Sequence, residues 1–314
     1  MKSNTHISNV LEGNDNKDRY DAEVKKILSD KTVLSWILKY TVAEFDGYPV
    51  EDIRECIEGE PEVGTHRVYP GHTPEAISGL ATEDKVPGEG VVTYDVRFFV
   101  ITPGKERIKL IVNVEGQKKF HPGYDLVTRS VFYCARMLSA QLDTEFTGEN
   151  YDDMKKVYSI WICMEVPEDK QWTITAYRMK PEELYGHGGQ GNRYDLMESV
   201  FVCLGKEEDA EKGNALHGML STLFSERLQP EEKERILEED YNFITSVEVE
   251  GGLRQMCNLS DLVEERGIRK GMALGLEQGR QEAILGLVRD GLLELSEAAK
   301  RLEISEEELK KLLV

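Results

Sequence analysis

A chain of 314 residues carries 59 Asp and Glu against 39 Lys and Arg, a formal net charge of −20, with 40% hydrophobic residues. That apolar fraction suffices for a folded core in one large domain with appendages or in two domains, while the acidity argues against general affinity for nucleic acid, whose phosphate backbone draws on Lys and Arg. No uninterrupted apolar stretch approaches the roughly 20 residues needed to span a bilayer, the start from Met1 to Asp18 is polar rather than signal-like, and five cysteines without any Cys-x-x-Cys read as reduced core residues, so a cytoplasmic location is expected.

Met1 to Lys17 is polar and expected to be frayed. Asp18 to Tyr40 reads as helix, with Val24, Ile27, Leu28, Val33, Leu34, Ile37 and Leu38 forming a broad apolar stripe and a break near Ser29-Asp30. Val50 to Glu58 gives a second helix. Gly59 to Gly90 lacks periodicity and reads as a long loop or a set of short strands. Its His66 and His72 have no partner at metal-ligand spacing, which disfavours zinc.

Two apolar runs, Val91 to Ile101 and Ile108 to Gln117, then form a β-hairpin around Thr102-Pro103-Gly104-Lys105-Glu106-Arg107. Even positions (Val92, Tyr94, Val96, Phe98, Val100; Ile108, Leu110, Val112, Val114) make one apolar face; Asp95, Glu115 and Gln117 lie on the mixed face. Odd must pair with odd, so the loop has three residues (Pro103 to Lys105) or five (Pro103 to Arg107). With five, Asp95 lies directly opposite Glu115; with three, diagonal to it. Two carboxylates that close repel unless a cation sits between them, and such an oxygen-rich pair suits Mg²⁺ or Mn²⁺.

Asp125 is a plausible N-cap for a helix to about Leu142, whose apolar face uses Leu126, Val127, Val131, Ala135, Leu138 and Leu142; Arg129, Tyr133 and Arg136 form a second stripe reaching out from the core. From Val96 to Arg136 the basic residues Arg97, Lys105, Arg107, Lys109, Lys118, Lys119, Arg129 and Arg136 outnumber Glu106, Glu115 and Asp125, a local exception to the acidic balance. Val157 to Met164 and Trp172 to Met179 complete a sheet, with Val200 to Leu204 as one more candidate strand. The glycine-rich Tyr185 to Arg193 lacks the Gly-Lys-Ser/Thr end of a P-loop and reads as a linker. Glu207 to Tyr241 is largely helical, a new helix starting at Pro230-Glu231-Glu232. From Ser260 the chain is helical with Gly267, Gly271, Gly275 and Gly279 spaced by four, which suggests close helix approach within the chain or in a homodimer. Two short Ser-capped helices close the sequence in a helix-turn-helix-like pattern, but six acids against four bases after Gly291 favour packing or dimerisation over DNA reading.

Asp95 followed by a strand carrying Glu115-x-Gln117 resembles the metal-binding core of PD-(D/E)XK nucleases, with Gln117 where Lys is usual. The Glu-x-Gln variant is similar to the Rpn group of recombination-promoting nucleases, also described as PD-(D/E)XK nuclease family transposases. Arg129 and Tyr133 match that group's Arg-x-x-x-Tyr, Asp21-Ala-Glu-Val-Lys25 resembles its Asp-x-x-Phe-Lys with Val24 for Phe, and Met256-Cys257-Asn258-Leu259-Ser260 with the following glycines resembles its end. The resemblance implies an α/β, restriction-endonuclease-like core, a mixed central sheet flanked by helices, with a helical C-terminal extension. Its nuclease-like domain would span 1–185, a mostly helical supporting region 186–259, and a dimer-forming tail 260–314. It further implies a Mg²⁺- or Mn²⁺-dependent DNA endonuclease with Asp95 and Glu115 as metal ligands and Gln117 as third catalytic residue. Lys118, Lys119, Arg129 and Tyr133 would contact the substrate, and Asp21 or Glu44 is a candidate acid from the N-terminal helices. The competing class is a catalytically degenerate nuclease fold acting as a protein interaction module.

Overall fold

The computed structural model describes residues 18–59, 61–63, 83–86, 90–104, 107–188, 193–243, 246–302, 304–305 and 307–309. The polar start, His66, His72 and most of the segment from Gly59 to Gly90 lie outside the described residues. Two compact units divide the chain, Met1–Cys257 and Asn258–Val314. Among the described residues no helix is long and apolar enough to cross a membrane.

The first unit is α/β. Helix α1 (18–28) ends at the expected break, where the Asp30 carboxylate accepts from the Thr32 and Val33 N–H groups and so caps α2 (Lys31–Thr41). A short α3 (Val50–Arg54) is about half the length that the sequence suggested. Strands β1 (Glu62–Val63), β4 (Val96–Ile101), β5 (Lys109–Lys119), β6 (Val157–Glu165), β7 (Thr173–Arg178) and β8 (Met197–Cys203) form one mixed sheet in the order β1-β4-β5-β6-β8-β7. β5, β6 and β8 run parallel, and antiparallel strands flank them. Helix α4 (Leu126–Ser139), capped by Asp125, is the crossover between β5 and β6.

β8 sits inside the sheet, between β6 and β7. Residues 186–259 therefore supply an interior strand rather than a separate supporting region, and a boundary at 185 would cut the sheet. The remainder of that span gives α5 (Ala215–Phe224), mostly apolar and buried from Leu216 to Phe224, His217, Ser221 and Thr222 included, and α6 (Pro230–Tyr241). A helix buried all round belongs inside a core.

The hairpin register pairs Val96 with Val114 and Ile101 with Lys109, and the Thr102 N–H donates to the Ile108 carbonyl. This is the five-residue loop. The long first strand is a correction: β3 (Gly90–Thr93), which pairs with β2 (Glu83–Val86) in a small second sheet, stops before Tyr94-Asp95, and β4 starts after them. That break resets the side-chain alternation. Tyr94 consequently leaves the even face and packs edge-on against Tyr133, ring centroids 5.2 Å apart, in a cluster with Ile111, Trp161 and Phe201.

The even face of β5 lies against α1. A Cβ on Gly116 would come within 2.7 Å of Val24 Cγ1 and 3.1 Å of Leu28 Cδ1, so only glycine allows the helix this close. The odd face lies under α4, and the expected helix orientation holds only in part: Leu126 is buried and Val127 and Leu138 pack beside it, but Val131 and Leu142 are 44% and 51% exposed, and Ser130, Tyr133, Cys134, Arg136 and Met137 are buried instead. The helix is rotated so that part of the polar stripe covers the polar end of the sheet.

In the second unit Ile284, Leu285, Ala298, Ala299 and Leu309 make a small core between the end of α7 (Val247–Arg289) and α8 (Leu295–Leu302). The Ser305 hydroxyl accepts from the Glu308 N–H while the Glu308 carboxylate accepts from the Ser305 N–H, the reciprocal cap anticipated there. A Cβ on Gly275 or Gly279 would meet nothing within 4 Å, so no described part of the chain presses on these two. The surroundings of Gly267 and Gly271 lie outside the described residues.

Candidate active site

The break before β4 turns Asp95 across β5 at Glu115 and Gly116. Its N–H donates to Glu115 Oε1 at 3.1 Å, and its own Oδ2 accepts the Gly116 N–H at 3.0 Å. The two carboxylates are thus cross-tied by backbone donors. Asn113, two residues earlier on the same face, donates its amide to Glu115 Oε1 at 2.9 Å, which gives that oxygen two donors. Lys25 of α1 completes the cluster with its Nζ 2.8 Å from Asp95 Oδ1.

Burial makes the pair costly. Glu115 is 3% exposed, and the neighbouring strand places Trp161 beside it. Loss of hydration first, and the Asp95 charge second, hold its carboxyl well above the ordinary value of 4.5; the Asp95 N–H, Arg129 and Asn113 oppose that rise only in part. A group of this kind favours folding while protonated in both states, below pH 4.5, and loses that contribution as pH rises through its native value. Glu115→Gln keeps an oxygen to accept from Asn113 and Asp95 but cannot ionise. Without metal, thermal melts should therefore show the variant gaining on the intact protein as pH is raised from 4 to 8; an intact protein that gains on the variant instead would refute the assignment.

Arg129 and Tyr133 do meet the site, from the buried side of α4. The Arg129 guanidinium donates to the Tyr133 hydroxyl through Nη2 at 2.5 Å and to the Tyr124 hydroxyl, and lies 5.3 Å over Trp161. Tyr133 donates on to the Thr93 carbonyl at 3.3 Å, and burial with the nearby Glu115 charge pushes its phenol up to about 12. Arg129 thereby brings a fixed positive charge towards Glu115 on an aromatic platform.

Other expected contributors are arranged differently. Gln117 shares the face of Asn113 and Glu115, but its amide donates to the Lys119 carbonyl at 2.7 Å. Lys118 points to the opposite face, as alternation requires, and pairs with Glu226 at 2.6 Å over the Tyr20 ring; Lys119 is exposed at the strand end. The basic run does not make one surface. Arg97 and Arg136 are buried, and Lys109 pairs with Glu145. Glu44 is removed from the site altogether, bonded to Lys156 at 3.0 Å and to the Tyr158 hydroxyl at 2.5 Å on the other face of the sheet. Asp21 lies one helical turn before Lys25, and among the described residues no three His, Cys, Asp or Glu side chains form a metal-holding group.

Two carboxylates still fit a hard cation that retains waters and shares its shell with a phosphate, the usual state of Mg²⁺. The fit rests on the forced proximity of Asp95 to buried Glu115, each with one oxygen tied to backbone N–H. Lys25 is the contributor to which the sequence assigned no role at the site; its visible signal was the Asp21-Ala-Glu-Val-Lys25 match, and the close packing at Gly116, the one glycine in β5, brings it to Asp95. No family model, no curated protein and no solved structure matches the chain.

Proposed function

We propose that the chain is a metal-dependent DNA endonuclease of the PD-(D/E)XK type, hydrolysing phosphodiester bonds. The observation that carries this reading is the cross-tied pair of Asp95 and Glu115 at the end of a parallel sheet strand, with Lys25 and Arg129 as flanking cations. An open α/β sheet binds ligands at the carboxyl ends of its parallel strands, and β5 delivers Glu115 toward that end. When bound, Mg²⁺ or Mn²⁺ would polarise the phosphodiester and acidify a water.

The chain's own residues divide the remaining work. Asp95 and Glu115 would hold the ion and orient the phosphate. Asn113 and the two backbone N–H groups fix the carboxylate oxygens, Trp161 covers one side, and the Arg129 guanidinium, stacked and hydrogen-bonded to phenols, would donate to a phosphate oxygen. The test is incubation of purified protein with supercoiled plasmid and Mg²⁺ or Mn²⁺, against a chelator control. Nicked or linear product in the metal lanes alone supports the reading.

A second reading has one observation in its favour: the Gln117 amide is bonded to the Lys119 carbonyl rather than to either carboxylate. This is the catalytically degenerate fold serving a protein partner. Plasmid that stays supercoiled with both metals would select it.

The tail supports a homodimer through its glycine face, since Gly275 and Gly279 are open to an incoming helix. A protein ending near Asn258 should scatter light as a smaller species than the full chain. Equal masses would remove the tail from self-association.

A further inference from the structure

We propose that Lys25, on α1, supplies to the scissile phosphate the positive charge that Gln117 cannot; this rests on the nuclease reading above. Three observations converge. The strand position two residues after Glu115 carries a neutral amide, and that amide is engaged with the Lys119 carbonyl at 2.7 Å. An ammonium reaches the carboxylate pair from a different element, with Lys25 Nζ 2.8 Å from Asp95 Oδ1 and the residue 8% exposed. The approach is built into the packing, because Val24, the residue before Lys25, lies where Gly116 has no side chain.

The charge is the right kind for the reaction. In hydrolysis the water oxygen bonds to phosphorus while the bond from phosphorus to the departing sugar oxygen breaks. The water loses a proton to solvent, and the departing alkoxide takes one from solvent. Negative charge grows on the non-bridging oxygens, and a fixed ammonium in a water-poor setting stabilises it without being consumed. Asp95 and Glu115 would hold the ion that draws a phosphate to the pair, and Lys25, with Nζ 2.8 Å from Asp95 Oδ1, stands beside that pair. Lys25 acts by position and charge.

The experiment compares the full chain with Lys25→Met, Lys25→Gln and the double variant Lys25→Met/Gln117→Lys, which moves the ammonium onto the strand. Each is measured twice: by Mn²⁺ titration without DNA, and by single-turnover cleavage of supercoiled plasmid. Expected are Mn²⁺ binding in both single variants as tight as in the parent or tighter, because a competing cation has gone, and cleavage reduced roughly 10²-fold. The double variant should recover at least about a tenfold share of that loss. Lys25→Gln can still donate to Asp95, so it decides the matter if Lys25→Met does not fold. Single variants that cleave like the parent overturn the inference while leaving the nuclease reading intact. Loss of Mn²⁺ binding together with cleavage, without recovery in the double variant, also overturns it and makes Lys25 a support for Asp95. A parent chain that binds Mn²⁺ but cuts nothing overturns the nuclease reading, and the inference with it.

Discussion

Asp95→Asn and Glu115→Gln should each lower metal-stimulated plasmid cleavage by about 10²–10³-fold, because loss of one ligand forfeits several kcal/mol of charge stabilisation at a factor of ten per 1.4 kcal/mol. The amides are the informative replacements. Asn keeps an acceptor for the Gly116 N–H and Gln keeps one for Asn113 and the Asp95 N–H, so the cross-tied geometry survives. Asp95→Ala would also strip the salt bridge from buried Lys25 and confuse catalysis with folding. Single-turnover cleavage with melting curves on the same preparations checks the expectation. An amide variant that is folded and as fast as the parent would remove that carboxylate from the site.

Gly116→Val should destabilise the first unit by about 1–3 kcal/mol and abolish cleavage together. Its Cβ alone would stand 2.7 Å from Val24 Cγ1, and two further methyl groups must find room between β5 and α1. Overpacking of this order shifts backbones or forces poor rotamers. The shift has a direction here: α1 must move off the sheet, carrying Lys25 away from Asp95. A melting temperature lower by about 2–4 °C per kcal/mol is the expected readout. Wild-type stability and cleavage in this variant would mean that α1 does not pack there.

Much of this arrangement was legible in the chain. Alternation in Ile108 to Gln117 fixed β5 and the side on which Glu115 sits, and parity reduced the loop to two lengths, of which the five-residue one occurs. Asp125 announced its helix because capping is a local hydrogen bond, readable from a few neighbouring residues, and Asp30, legible only as a break, proves to cap α2. What failed depended on distant partners. Whether α4 turned its apolar or its Arg129-Tyr133 stripe inward was decided by the carboxylates beneath it, and the parity of Tyr94 was broken by a bend no periodicity marks. The place of β8 between β6 and β7 is a crossover, and a strand's own sequence does not say which neighbours it pairs with. Lys25 was visible as the end of the Asp21-Ala-Glu-Val-Lys25 match, but its place was not: on an amphipathic helix a lysine usually lies in solvent, and only the close approach at Gly116 brings this one to Asp95.

The most direct test of the central claim, that Asp95 and Glu115 form one divalent-cation centre, is calorimetric titration of the full chain with Mn²⁺ at neutral pH, beside Glu115→Gln. Saturable binding of a single ion by the parent, and its loss in the variant, is the predicted result. Absence of saturable binding, or equal binding by the two proteins, would contradict it.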